Sequence, residues 1–84
     1  MTDEEFELLD ELYFVISFIQ LQKVLVWEKT RLLEALASAL SKGWVKCLDK
    51  QDNTLEILPK DLSAHYETCL FLATKEGLQT HNSR

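Results

Sequence analysis

The chain predicts a mostly helical α+β fold in which three helices lead into a β-hairpin and a short C-terminal element. Three observations point there. Glu28 to Lys42 repeats apolar side chains at helical spacing without Gly or Pro, and Gly43 stands where such a helix would stop. Trp44-Val45-Lys46-Cys47-Leu48 then switches toward a strand period, ahead of the polar turn from Asp49 to Thr54. At 84 residues the chain is one domain, read as residues 1–79 with a fraying tail at 80–84. Hydrophobic content of 46% beside 27% charged residues, with two Gly and one Pro, is the balance of a chain that folds.

The first helix begins at a capping box. Thr2 and Glu5 have its spacing, and Phe6, Leu8, Leu9, Leu12 and Tyr13 recur on one face, which predicts a helix from Asp3 to Phe14. The β-branched pair Val15-Ile16 weakens it, and Ser17 with Gln20 supplies the next cap and capping box. A second helix then runs from Phe18 to about Val24, with Phe18, Ile19 and Leu25 as core contacts. Leu25-Val26-Trp27 is the turn into the third helix, although it lacks the glycine often found at such a joint. One unbroken helix over residues 17–42 is the alternative. In the third helix, residues 28–42, Leu32, Leu33, Leu36 and Leu40 make the apolar stripe, with Ala35, Ala37 and Ala39 on its flanks. Arg31, Glu34, Ser38 and Lys42 lie opposite.

Leu55-Glu56-Ile57-Leu58 can return as the pairing strand, giving a hairpin over residues 44–58 that Pro59 ends. Beyond Asp61, a candidate N-cap, two readings stay open. Leu62, Tyr66, Cys69, Leu70 and Ala73 fit a helix, while Thr68 to Ala73 fits a buried strand. Thr74 caps a short last helix that Gly77 limits.

Charge is unevenly spread. Asp3, Glu4, Glu5, Glu7, Asp10 and Glu11 hold six of the fourteen acids, so the net −5 belongs to the first helix and the remainder has eight acids against nine bases. A near-neutral remainder permits DNA contact without requiring it. No apolar run reaches the length of a membrane span, and the acidic amino terminus is unlike a signal peptide, so the expectation is a cytoplasmic protein with no membrane association. Cys47 and Cys69 then read as free, partly buried thiols. With His65 and His81 they could supply four zinc ligands, but no Cys-x-x-Cys pair is present and no metal or other cofactor is expected. Cys69 beside His65 imitates a nucleophile and base, yet no oxyanion-forming loop, phosphate cradle or orienting third residue accompanies it, so no enzyme and no small-molecule ligand are expected.

Leu40-Ser41-Lys42-Gly43-Trp44-Val45 resembles the junction of leucine, two polar residues, glycine, hydrophobic residue and valine that joins recognition helix to wing in winged helix-turn-helix regulators of the MarR and PadR types. Leu72-Ala73-Thr74-Lys75-Glu76-Gly77-Leu78 is similar to the leucine-threonine-glycine sequence by which their wing returns to a final helix. The resemblance spans nearly the whole chain and implies a winged helix-turn-helix domain. Glu34 between Arg31 and Ser38, a wing mixing Lys46 and Lys50 with Asp49, Asp52 and Glu56, and an apparent insertion over 55–67 depart from the pattern.

Two functions follow. One is a regulatory or adaptor module acting by protein contact, as a homodimer or with another protein. Tyr13, Phe14, Phe18, Trp27, Trp44 and Phe71 are many large side chains for so small a core, and Phe14, Phe18 and Trp27 are the candidate interface. The other is a DNA-binding transcriptional regulator using helix 28–42 and wing 44–58, with Arg31 and Ser38 at base edges and Lys29, Lys42 and Lys50 on phosphates.

Overall fold

In the computed structural model, which describes residues 1–83, the first helix starts as its cap dictates. The Thr2 side chain accepts from the Glu5 N–H and the Glu5 carboxylate accepts from the Thr2 N–H, at 3.1 and 2.9 Å. This helix, α1, is Asp3–Asp10, shorter than the expected run to Phe14. Leu12 stays fully buried, but its carbonyl accepts from the Ala73 N–H at 2.8 Å, so a distant strand takes the acceptor that would continue the helix. Ile16–Ser17 likewise form a two-residue strand, β1, in place of a weakened helix end.

Ser17 then caps α2, Phe18–Leu25, accepting from the Gln20 N–H. Phe18 and Leu21 turn inward, whereas Ile19, expected in the core, is exposed. The turn to α3 lacks glycine, and Val26 adopts the left-handed conformation itself, at φ 57° and 84% exposure. That break excludes one helix over residues 17–42. In α3, Lys29–Ser41, the buried stripe is Leu32, Ala35, Leu36 and Ala39, so alanines expected on the flanks sit at its centre while Leu33 and Leu40 are half-buried. The helix closes on Gly43 at φ 77°, with Gly43 N–H bonded to Leu40 C=O and Trp44 N–H to Ala39 C=O, the paired bonds of a Schellman motif.

Strand β2, Val45–Asp49, follows at once, but its partner is not residues 55–58. It pairs antiparallel with β3, Cys69–Ala73, in the register Cys47 to Phe71, and β1 pairs on the far side of β3 to give the order β1-β3-β2. The reason is burial: Cys69 and Phe71 alternate into the core, whereas Leu55 and Leu58 are more than half exposed. Residues 55–57 make one bridge, Leu48 to Glu56, with bonds from Asp49 N–H to Leu55 C=O and from Ile57 N–H to Cys47 C=O.

Between the strands, a 3₁₀ turn at Pro59–Asp61, the short α4 at Leu62–His65 and a second 3₁₀ turn at Tyr66–Thr68 fold over the core, which Leu62 enters. Asp61 has helical backbone angles and makes no side-chain cap. Both readings of residues 61–73 therefore hold in part, a helical stretch first and a strand after it.

Thr74 caps α5, Lys75–Asn82. Its hydroxyl accepts from the Gly77 N–H and donates to the Gly43 carbonyl at 2.6 Å, and its N–H donates to the Trp44 carbonyl. Gly77 does not limit the helix. It allows α5 to lie against Trp44, whose backbone leaves no room for a Cβ. The expected frayed tail is helical through Asn82 and includes the buried His81, while Arg84 lies outside the described residues.

Candidate functional site

Helix α3 carries most of the cations proposed for nucleic acid, and its sequence turns three of the polar groups toward α1. Arg31, Ser38 and Lys42 recur at seven and four residues, one side of a helix, and the side they share faces the amino terminus of α1. The Arg31 Nε lies 2.7 Å from the Glu4 carboxylate, and its guanidinium stacks 4.2 Å from the Trp27 ring. Ser38 donates to Glu5 at 3.2 Å, and the Lys42 ammonium reaches the same Glu5 oxygen at 2.7 Å while lying over Trp44. Burial pushes the Glu5 pKa up, but hydrogen bonds from Lys42 and from the backbone and side chain of Thr2 outweigh it and hold Glu5 at about 2. Glu5 is thus a fixed anion at neutral pH, unsuited to proton transfer and matched to Lys42.

Lys29 and Lys50 stand apart. Lys29 lies 5.4 Å above the Tyr66 ring, and Lys50 is exposed beyond β2, where Asp49 and Asp52 adjoin it in the turn. The five proposed DNA contacts are therefore not one cationic surface. Between Arg31 and Leu33 on the wheel, α3 shows solvent Thr30, Glu34 and Ser41, with one acid and no base. Beside them a cleft of about 180 Å³ is lined by Leu33, Glu34 and Ala37 of α3 and by Pro59, Leu62 and Ser63 of the segment between β2 and β3, so the chain closes one flank of α3 itself.

The candidate interface residues also separate. Phe18 and Trp27 are 3% and 7% exposed and belong to the core, Phe18 edge-on to Tyr66. Phe14 is 85% exposed. It borders a groove of about 490 Å³ lined by Glu11, Val15, Ile16, Gln20, Lys23 and Val24, while exposed Ile19 lines a separate cleft with Lys29 and Tyr66. Val15, Ile19 and Val24 were missed from sequence. The available signal was the α2 register: with Ser17 as cap and Phe18 and Leu21 inward, Ile19 and Val24 fall on the outer arc.

The remaining reactive groups serve the fold. Cys47 and Cys69 are fully buried free thiols, not partly buried ones, and burial pushes both pKa values up, which keeps them protonated. Cys69 donates to the backbone carbonyl of His65, whose side chain is exposed. His81 stacks on Phe6 at 4.1 Å, with Nδ1 2.8 Å from the Tyr13 hydroxyl and Nε2 3.0 Å from Asp10. Asn82 accepts the Tyr13 proton, so this chain of groups clasps α5 to α1. Among the described residues no group of His, Cys, Asp or Glu converges to hold a metal, and no helix is long and apolar enough to cross a membrane. In comparisons with protein-family models, curated proteins and solved structures, the chain matches none.

Proposed function

We propose that the chain is a small winged-helix module that regulates or adapts by protein contact, as a homodimer, in a compartment such as the cytoplasm that keeps Cys47 and Cys69 reduced. The fold part of this reading is supported by the element order, the sheet order β1-β3-β2, and the contact between the two resembling segments, where Thr74 and Gly77 meet Gly43 and Trp44. The observation that carries the functional part is the pairing of Lys42 with the buried Glu5, beside the more exposed pair of Arg31 with Glu4. Cations already neutralised release few counterions when they meet phosphate, so the main source of DNA affinity is weak on the helix that would enter the groove. Exposed apolar groups lie instead around Phe14 and α2, with Leu55 and Leu58 a second exposed pair between β2 and β3.

A DNA-binding regulator remains the second reading, favoured by the same element order. Anisotropy titration with mixed-sequence duplex DNA across a salt series separates the two. The protein-contact reading expects a Kd no tighter than roughly 10⁻⁴ to 10⁻⁶ M at about 150 mM salt. Submicromolar binding that weakens steeply with salt would overturn it.

A further inference from the structure

We infer that the groove between residues 14–16 and α2 is the dyad interface of a homodimer, in which Phe14 of each copy enters the groove of the other and Glu11 of each faces Lys23 of the other. The inference rests on the protein-contact reading and names its partner as a second copy of this chain.

Self-complementarity is the argument for that occupant. A two-fold interface uses one patch twice, so the patch must contain both a projection and its receptacle, and each charge must find its opposite in the same set. Phe14 is the projection, on a short irregular segment that leaves its ring 85% exposed. The receptacle adjoins it. It is an open groove of about 490 Å³, and Val15, Ile16 and Val24 give it apolar walls.

Glu11 and Lys23 border the same groove, and among the described residues no ion pair joins them within the chain. With one acid and one base the patch is neutral in a chain of net charge −5, and a dyad that brings Glu11 of one copy beside Lys23 of the other pairs both charges. The groove's lining of Phe14, Val15, Ile16 and Val24 together with Glu11, Gln20 and Lys23 joins apolar groups to balanced charge, as protein interfaces do. A standard interface of about 800 Å² per partner is a modest share of the 5210 Å² surface, and one phenyl ring supplies about 150–250 Å² of it.

Sedimentation equilibrium of the full chain from about 1 to 500 μM tests the inference. The expected weight-average mass rises from 9.8 kDa toward twice that value. Phe14→Ser should weaken association at least tenfold with an unchanged circular dichroism spectrum, since the ring contributes little to the monomer. Lys23→Glu should also weaken it, by setting a second carboxylate against Glu11. The combined Glu11→Lys and Lys23→Glu exchange should restore it, because only pairing between these two positions survives the swap. A monomer at every concentration, or a dimer indifferent to Phe14→Ser, would overturn the proposed interface. So would failure of the double exchange to restore association after Lys23→Glu had weakened it. Tight salt-sensitive DNA binding would overturn the protein-contact reading separately, because the mass measurement contains no DNA.

Discussion

Replacing Gly77 with alanine tests the joint on which α5 rests. A Cβ at this position would stand 2.9 Å from the Trp44 carbonyl carbon and closer still to its oxygen, where carbon contacts ordinarily begin near 3.5 Å. The obstacle is backbone, so no rotamer change removes it. Overpacking of this kind costs about 1–3 kcal/mol. Relief by displacing α5 weakens the bonds from Thr74 to Trp44 and Gly43, at about 1 kcal/mol each. Helix propensity opposes with a gain of about 1 kcal/mol for alanine over glycine. The balance is a loss of about 2–4 kcal/mol, or a fall in Tm of about 10–30 °C for a domain of this size. Gly43→Ala provides the contrast. Its Cβ would meet open space, so only the left-handed backbone at φ 77° resists, at about 1 kcal/mol. Thermal melts followed by circular dichroism should rank wild type, Gly43→Ala and Gly77→Ala in descending order. A Gly77→Ala protein melting at or above the wild type would refute the packing of α5 against Trp44.

Val26→Asn should raise stability by about 1 kcal/mol, because asparagine tolerates the left-handed conformation that a β-branched residue resists and the valine is too exposed to contribute packing; a lower urea midpoint would contradict this. Glu5 predicts an acid limb. Its folded pKa of about 2 lies below the ordinary 4.5, so the stabilisation is complete above pH 4.5 and is lost as pH falls from there toward 2, by up to about 3 kcal/mol. Glu5→Gln should be less stable at pH 7 and have a flatter stability profile over that window. An unchanged slope would place the acid sensitivity elsewhere.

Cap chemistry was legible because it is local. Thr2 with Glu5, Ser17, Gly43 and Thr74 all lie within a few residues of the groups they satisfy and each caps its helix, although Gln20 bonds the Ser17 hydroxyl and does not complete a capping box, and Asp61 makes no cap. What the sequence hid is long-range pairing. Ile16–Ser17 is too short to show a period and is a strand only because Phe71 and Leu70 lie beside it. Leu55–Leu58 has strand composition but no buried face, whereas Cys69 and Phe71 have one that only the folded core reveals. The candidate site divides similarly: the cations of α3 can be named from sequence, but Glu4 and Glu5 lie 27 and 37 residues from the groups they hold. The surplus of aromatics was visible, yet a core of this size buried Phe18 and Trp27 and left Phe14 outside.

Those two ion pairs would not yield equally to a phosphate. The Arg31 and Glu4 side chains are 50% and 41% exposed, so their pair contributes about 0–1 kcal/mol and a phosphate could replace the carboxylate at little cost. Glu5 is different. Its carboxylate side chain is 5% exposed against 45% for Lys42, so drawing Lys42 away would leave a buried anion with only the Thr2 and Ser38 bonds, a loss that solvent access to the lysine brings below the cost of breaking a fully buried pair but keeps above that of the Arg31 pair. One phosphate contact with a lysine does not offset that loss in water. A duplex docking on α3 could thus recruit Arg31 cheaply but Lys42 only against the fold, leaving Lys29 and Lys50 as the other proposed phosphate ligands. The acidic first helix therefore does more than lower the net charge: through Glu5 it ties Lys42, at the end of α3, to the stability of the domain.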